Sequence, residues 1–224
     1  SNGSYSQVSV GSYHICALNS NGLVECDGSS IIDYGQAYPP SGTFLQVTAG
    51  STHSCGITSS GTVSCWGQDN YGQSSPYSGV FTQISGGTHH TCGVKSSSSV
   101  SCWGLDSSNQ SSPPYGQYTQ VSSGGYHSCG VKTNGDIECW GSNLDQSQSY
   151  VGQANPPSGT FVQVACGDYH SCGLRSDGSI DCWGSDYNSV GHVYYGQSSP
   201  PVGDFVLIAA GNFGSCAVES TGGL

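Results

Sequence analysis

The sequence carries very little positive charge. Only three of its 224 residues are basic (Lys95, Lys132 and Arg175), and the formal net charge is −11. Nucleic acid and anionic membranes require several cations on one protein surface, so neither is an expected partner. Methionine is absent, and no apolar run approaches the roughly eighteen residues of a membrane span. The sequence opens without a secretory leader, so if the protein is secreted we expect this to be its mature form.

Sequence motifs of catalysis are also missing. There is no Gly-x-Ser-x-Gly, no His-Glu-x-x-His and no glycine-rich loop ending in Lys. Three acids, Glu25, Glu138 and Asp181, recur at one repeat position before a cysteine, which indicates a solvated strand face. We therefore predict no enzymatic activity and no cofactor.

The sequence is rich in regularly spaced cysteines. Twelve are present, and ten of them form pairs ten residues apart: Cys16/Cys26, Cys55/Cys65, Cys92/Cys102, Cys129/Cys139 and Cys172/Cys182. Turn residues such as Asn21-Gly22 lie between the members, and a hairpin folded about residue 60 places Cys55 opposite Cys65, at a Cα separation of about 4.5–5.5 Å. Zinc ligands instead converge from separate turns. We predict five disulfides and no metal, and hence an oxidising compartment.

The cysteine pairs belong to a longer repeat. An aromatic residue opens each unit, followed by x-Gln-Val, a Gly, then His-x-Cys, a turn and Cys-Trp-Gly, and a loop ending in Tyr-Gly-Gln. The opening aromatics are Tyr5, Phe44, Phe81, Tyr118, Phe161 and Phe205. Units of this length with three or four short strands are typical of propeller blades. We expect one domain over residues 1–224, with repeats at 5–42, 43–79, 80–116, 117–159, 160–203 and a partial 204–224.

The combined motif resembles the repeat of the regulator of chromosome condensation family, with the clearest copies at residues 165–184 and 47–73. This resemblance implies an all-β propeller of about six to seven blades. The added cysteines are similar to those of a secreted, disulfide-bearing branch. A nuclear exchange-factor role, known in the family, would require a reducing compartment and is not expected.

Two cysteines have no partner within a hairpin. Cys166 lies in the first strand of repeat five, and Cys216 lies in the sixth unit, which stops before its second cysteine. We predict a Cys166–Cys216 bridge between adjacent blades. The alternative is that the chain is part of a longer array or finds its last strand elsewhere. In either case we expect an incomplete blade whose unpaired edge can accept another strand.

Histidine and tryptophan also recur at fixed repeat positions. The histidines (His14, His53, His90, His127 and His170) either line a channel and bind metal or form hydrogen bonds within their own blades. The tryptophans (Trp66, Trp103, Trp140 and Trp183) either stack on sugars or pack between blades. We favour the structural interpretation for both sets. Repeat one has Cys26-Asp27-Gly28 in place of Cys-Trp-Gly and so lacks its tryptophan.

Candidate ligand residues lie where the repeats differ, in the loops 142–152 and 185–196. The second loop contains Tyr187, Asn188, Tyr194 and Tyr195, which suit sugar hydroxyls and rings. Two sequons, at Asn2 and Asn109, would accept N-glycans in a eukaryotic secretory pathway.

We therefore expect an extracellular, non-enzymatic structural or interaction propeller. Its expected partners are further copies of itself in an oligomer or fibre, or another extracellular protein or glycan. The alternative is a lectin-like propeller that binds carbohydrate through its tyrosine-rich loops.

Overall fold

The computed structural model describes residues 4–187, 194 and 196–223, and its regular structure is entirely β. Seventeen strands form five three-stranded sheets and one two-stranded sheet. Each sheet is one blade of a β-propeller, so the predicted fold class is confirmed. Within the described residues, no helix is long and apolar enough to cross a membrane.

The blades follow one another in chain order. Blades 1 and 2 comprise β1 (Tyr5–Val10), β2 (His14–Asn19), β3 (Val24–Gly28), β4 (Phe44–Ala49), β5 (His53–Thr58) and β6 (Val63–Gly67). Blades 3 and 4 comprise β7 (Phe81–Gly86), β8 (His90–Lys95), β9 (Val100–Gly104), β10 (Tyr118–Ser123), β11 (His127–Lys132) and β12 (Ile137–Gly141). Blades 5 and 6 comprise β13 (Phe161–Cys166), β14 (His170–Arg175), β15 (Ile180–Gly184), β16 (Phe205–Ala210) and β17 (Ser215–Glu219).

The predicted hairpin register is confirmed. Cys55 lies opposite Cys65 and Ile57 opposite Val63, because the turn glycine Gly61 adopts a positive φ of 84°. Blades 1 to 5 each contain one disulfide between their second and third strands. These bonds are Cys16–Cys26, Cys55–Cys65, Cys92–Cys102, Cys129–Cys139 and Cys172–Cys182. Each disulfide therefore closes one hairpin within one blade.

The spacing of the bonded cysteines differs from the prediction. The Cα atoms of Cys16 and Cys26 lie 4.1 Å apart. Those of the other four pairs lie 4.0 Å apart. The predicted separation was that of ordinary cross-strand neighbours, about 4.5–5.5 Å.

Blade 1 differs from the other disulfide-bearing blades at the residue that follows Cys26. The residue after Cys26 is Asp27, whereas a tryptophan follows the second cysteine in blades 2 to 5. Cys16 is fully buried, and Cys26 is partly buried at the margin of the core between blades 1 and 2, as the second cysteines of blades 2, 4 and 5 are at theirs. The Cys16–Cys26 disulfide thus forms in a strand that lacks the large apolar side chain of the other blades.

The hydrophobic core lies between adjacent blades. Between blades 2 and 3, for example, Cys55 and Ile57 of one blade pack against Phe81, Ile84 and Trp103 of the next. The Phe81 and Trp103 rings meet edge to face with their centroids 5.9 Å apart. A blade is thus too thin to bury its apolar face alone and depends on its neighbour.

The predicted Cys166–Cys216 disulfide is wrong, because both cysteines are free. Cys166 is buried against the Cys129 disulfide of blade 4, whereas Cys216 is exposed on blade 6. The even number of cysteines in the sequence does not show that the Cys166 thiol is buried against the preceding blade.

Candidate functional site

The recurrent histidines connect each blade to the next one. Each Nε2 lies 2.6–2.8 Å from a Ser or Thr hydroxyl of the following blade, as in the pairs His14–Ser54, His53–Thr91, His90–Ser128, His127–Ser171 and His170–Ser215. The prediction of bonds within one blade is therefore wrong in its partner, although the role is structural.

The histidines also do not form the wall of the central channel. That wall includes small residues that precede them, such as Gly87 and Gly124. A Cβ on Gly124 would lie 2.6 Å from Cε1 of His127 and 2.3 Å from a backbone oxygen of Gly167. Glycine is required here because the imidazole and the neighbouring backbone both approach its Cα closely.

The same hydroxyls complete a bridge to the preceding blade. Ser54 Oγ donates to the carbonyl of Gln36 at 3.0 Å, and Trp66 Nε1 donates to that carbonyl at 2.8 Å. Equivalent Trp bonds reach the carbonyls of the other closing loops: Trp103 to Gln73, Trp140 to Gln110 and Trp183 to Gln153. The glutamine of each of these closing loops therefore supplies an acceptor for the next blade, and the tryptophans pack between blades as predicted.

Blade 1 has no equivalent tryptophan bond, because Asp27 occupies the position that follows the second cysteine. Asp27 is exposed, and its carboxylate accepts the Gly28 amide at 2.9 Å.

These histidines are neutral donors. Their Nδ1 atoms are buried without a hydrogen-bond partner among the described residues, so we assign the proton to Nε2, which faces the hydroxyl. Burial lowers the pKa of His53 and His127 to about 3 and that of His90 and His170 to about 4. A charged imidazole would lose its hydration at this position, so the interface favours the neutral form.

A glutamine clamp also joins the blades, and the sequence reasoning missed it. Gln46 donates through Nε2 to the Ile84 carbonyl at 3.1 Å, and its Oε1 accepts the Ile84 amide at 2.8 Å. The glutamines at the same position in the other blades form the same pair: Gln7 with Val47, Gln83 with Val121, Gln120 with Val164 and Gln163 with Ile208. An amide repeated within an otherwise apolar strand was the available signal.

Two of the acids assigned to a solvated strand face form ion pairs instead. Lys132 pairs with Glu138, and Arg175 pairs with Asp181, each across neighbouring strands of one blade. Cross-strand pairs of this kind are partly exposed and stabilise a sheet modestly. Two of the three basic residues therefore stabilise the scaffold.

The outermost blade faces expose apolar residues that the inner interfaces bury. Tyr5 and Val8 of blade 1 are 40% and 56% exposed, whereas the equivalent Phe44 and Val47 of blade 2 are 5% and 0% exposed. We call this face of blade 1, which includes Tyr5, Val8 and Val10, the leading flank. We call the opposite face of blade 6, formed by Cys216 and Val218 of β17, the trailing flank. The same two kinds of face meet at each inner interface.

Exposed tyrosines occupy the loops that follow the third strands. Tyr34 and Tyr71 directly precede the loop glycine in blades 1 and 2, and about half of each side chain is exposed. In blade 5, Tyr187 and Tyr194 form a bridge, and their rings meet edge to face with centroids 5.5 Å apart. These are two of the four predicted ligand residues. The other two, Asn188 and Tyr195, lie outside the described residues.

Of the two predicted glycan acceptors, Asn109 is exposed at a turn with φ +62°, and Asn2 lies outside the described residues. The Ser111 hydroxyl of the Asn109 sequon donates to the Leu105 carbonyl at 2.8 Å. The asparagine thus projects from a well-bonded turn.

Comparisons with known proteins agree with this architecture. The model of the regulator of chromosome condensation (RCC1) repeat matches residues 44–73, 118–147 and 161–191, which fall in blades 2, 4 and 5. None of the curated proteins matches the sequence.

Similar solved structures include two plant receptor ectodomains. The CRINKLY WD40 ectodomain of the Arabidopsis thaliana receptor kinase ACR4 is 26% identical with a TM-score of 0.76, over 98% of this chain and 76% of that one. The ectodomain of the Physcomitrella patens receptor kinase CR4 is 24% identical with a TM-score of 0.74, over 97% of this chain and 62% of that one. Yeast RCC1 (Prp20), solved with Kap60, is 18% identical with a TM-score of 0.75, over 96% and 68% of the two chains.

The fold and its bonds define a disulfide-bearing β-propeller whose blades are joined by histidine, tryptophan and glutamine side chains. Blades 2, 4 and 5 contain regulator of chromosome condensation repeats.

Proposed function

We propose that this chain is an extracellular, non-enzymatic interaction propeller that associates with further copies of itself through its two outer flanks. Five disulfides are typical of an oxidising, extracellular environment. Two of the similar structures are receptor ectodomains, which supports the same location.

The proposal of self-association rests on the exposed leading flank. Val8 and Val10 are 56% and 71% exposed, although they belong to a face that every following blade buries. At each inner interface, the face equivalent to the leading flank packs against the face of the preceding blade that is equivalent to the trailing flank. The trailing flank of blade 6 in one copy therefore complements the leading flank of blade 1 in another. Contacts between two different surfaces generate rings or open fibres.

The test is a matched pair of substitutions on exposed valine and leucine. Val8→Glu should abolish concentration-dependent assembly, measured as molar mass by light scattering, because a charge would be buried in the new interface. Leu45→Glu is the control, since Leu45 is also exposed but lies on the solvent side of β4. A monomeric mass for the unaltered chain at all concentrations would contradict the proposal.

Carbohydrate binding is a second candidate, favoured by the exposed Tyr187 and Tyr194 pair. The two tyrosine side chains are exposed, so their rings and hydroxyls are available to a sugar. A glycan array should then show binding that Tyr187→Ala and Tyr194→Ala abolish and Tyr77→Ala, an exposed tyrosine of another loop, leaves unchanged. An array without bound glycan, or binding that survives both substitutions, would count against this function.

A further inference from the structure

The interface between blades 4 and 5 contains a third sulfur atom beside a disulfide. Cys166 is the last residue of β13 and is buried. Small residues without sulfur occupy the same position in blades 2, 3, 4 and 6: Ala49, Gly86, Ser123 and Ala210. The thiol is therefore a special feature of one interface and is not a requirement of the repeat.

The thiol lies close to one particular sulfur of the neighbouring blade. Sγ of Cys166, Sγ of Cys129 and a ring nitrogen of His127 all lie within 4.8 Å of one another. The Ser171 hydroxyl is central to this group, at 3.6 Å from Cys166 Sγ and 3.8 Å from Cys129 Sγ. Cys129 is already bonded to Cys139 of its own blade. A free thiol thus faces an existing disulfide beside one shared hydroxyl group.

We propose that Cys166 exchanges with the Cys129–Cys139 disulfide. The Cys166 thiol loses its proton, and the resulting thiolate attacks Sγ of Cys129. A Cys129–Cys166 bond forms while the Cys129–Cys139 bond breaks, and Cys139 leaves as a thiolate that takes up one proton. The number of disulfides and thiols is unchanged, so the step requires no oxidant or reductant.

The exchange changes what the disulfide connects. The Cys129–Cys139 bond closes a hairpin within blade 4, whereas a Cys129–Cys166 bond joins blade 4 covalently to blade 5. The released Cys139 is partly exposed and becomes the reactive thiol in place of the buried Cys166. Burial raises the pKa of the Cys166 thiol to about 11, so the thiolate is scarce and exchange is slow in the folded protein. This inference is independent of the proposed self-association.

The first test removes the resident partner of Cys129. Cys139→Ser leaves Cys129 facing Cys166, and peptide mapping after oxidative refolding should find the Cys129–Cys166 disulfide. Cys102→Ser is the matched control, because it leaves Cys92 facing Ser123, and Cys92 should remain a free thiol. A Cys139→Ser protein that pairs Cys166 with Cys216, or leaves Cys129 and Cys166 unpaired, would overturn the proposal.

The second test follows the unaltered chain, with Cys166→Ser as its control. The native protein is incubated with N-ethylmaleimide, which labels the exposed Cys216 at once. Slow labelling of Cys139 together with accumulation of a Cys129–Cys166 linked peptide is expected, and Cys166→Ser should prevent both. Labelling of Cys166 itself, with Cys129–Cys139 intact throughout, would overturn the exchange.

Discussion

Blade 1 and the inner blades present similar residues to very different surroundings. Phe81 and Ile84 of blade 3 are 2% and 1% exposed, while the equivalent Tyr5 and Val8 are 40% and 56% exposed. The first strands of the two blades have the same alternation of side chains and a glutamine at the same position. What differs is a preceding blade that supplies a cysteine pair, an aliphatic side chain and a glutamine clamp. The comparison teaches that burial in this fold is a property of the pair of blades and not of the single repeat.

Acid should affect the buried interfaces most strongly. Four interface histidines (His53, His90, His127 and His170) have folded pKa values of about 3 to 4, below 6.5 in the unfolded chain. The unfolded state therefore binds more protons, and stability falls as the pH drops below 6.5, until about pH 3–4. Each histidine contributes a slope of up to about 1.4 kcal/mol per pH unit.

Denaturant titrations at a series of pH values from 7.5 to 4.5 measure this slope. Asp168 contributes in the opposite sense, since burial raises its pKa to about 6, but it is a single group. His127→Asn should reduce the slope by the share of one histidine. A free energy of unfolding that stays constant over this range would contradict the neutral, buried imidazoles.

Truncation of the opening aromatic residue should cost more at an inner interface than on the leading flank. Phe81→Ala removes a buried ring that contacts Trp103, and we expect a loss of about 3–5 kcal/mol. Tyr5→Ala removes a partly exposed ring, and we expect less than about 1 kcal/mol. Denaturant unfolding of both variants measures the difference. Similar losses would show that the leading flank is already packed in the isolated chain.

Removal of a glutamine clamp should reduce stability by an amount between those of the two truncations. Gln120→Leu leaves the Val164 amide and carbonyl at the blade 4–5 interface without their side-chain partners, at a cost of about 1–3 kcal/mol. Thermal unfolding should detect this loss. Leu207 already occupies the clamp position in blade 6, so Leu207→Ala is the comparison and should cost less. An unaltered melting temperature for Gln120→Leu would show that the clamp does not stabilise the interface.

A substitution at the surface turn of blade 3 should not alter the packing between blades. Asn109→Gln should remove one N-glycan from protein secreted by eukaryotic cells, seen as a mass decrease, with stability within about 0.5 kcal/mol. Ser111→Thr preserves the sequon and serves as the control. Equal masses for Asn109→Gln and the unaltered chain would show that Asn109 carries no glycan.

Most of the fold was accessible from local patterns. The Cys-x₉-Cys spacing and turn glycines such as Gly61 determine the hairpin register, because both depend on residues within one hairpin. Even Cys26, whose strand lacks the tryptophan, was paired correctly with Cys16 from this spacing. The placement of the tryptophans between blades followed from their fixed position beside a disulfide. The boundaries of the repeats and the single domain over residues 1–224 stay predictions.

The links between blades were not accessible in the same way. His53 bonds to Thr91, and Gln46 to Ile84, across 38 residues of sequence, so no local pattern identifies the partner. The pairing of Cys166 with Cys216 was wrong for the same reason, since counting cysteines does not show which blade buries which thiol. The tyrosine loop was recognised from its composition, but Asn188 and Tyr195 lie outside the described residues.

Electron microscopy of the purified chain at increasing concentration tests the central claim most directly. If the leading flank of one copy binds the trailing flank of another, images should show propeller discs joined edge to edge in rings or fibres that grow with concentration. Dispersed single discs at every concentration would contradict association through these flanks.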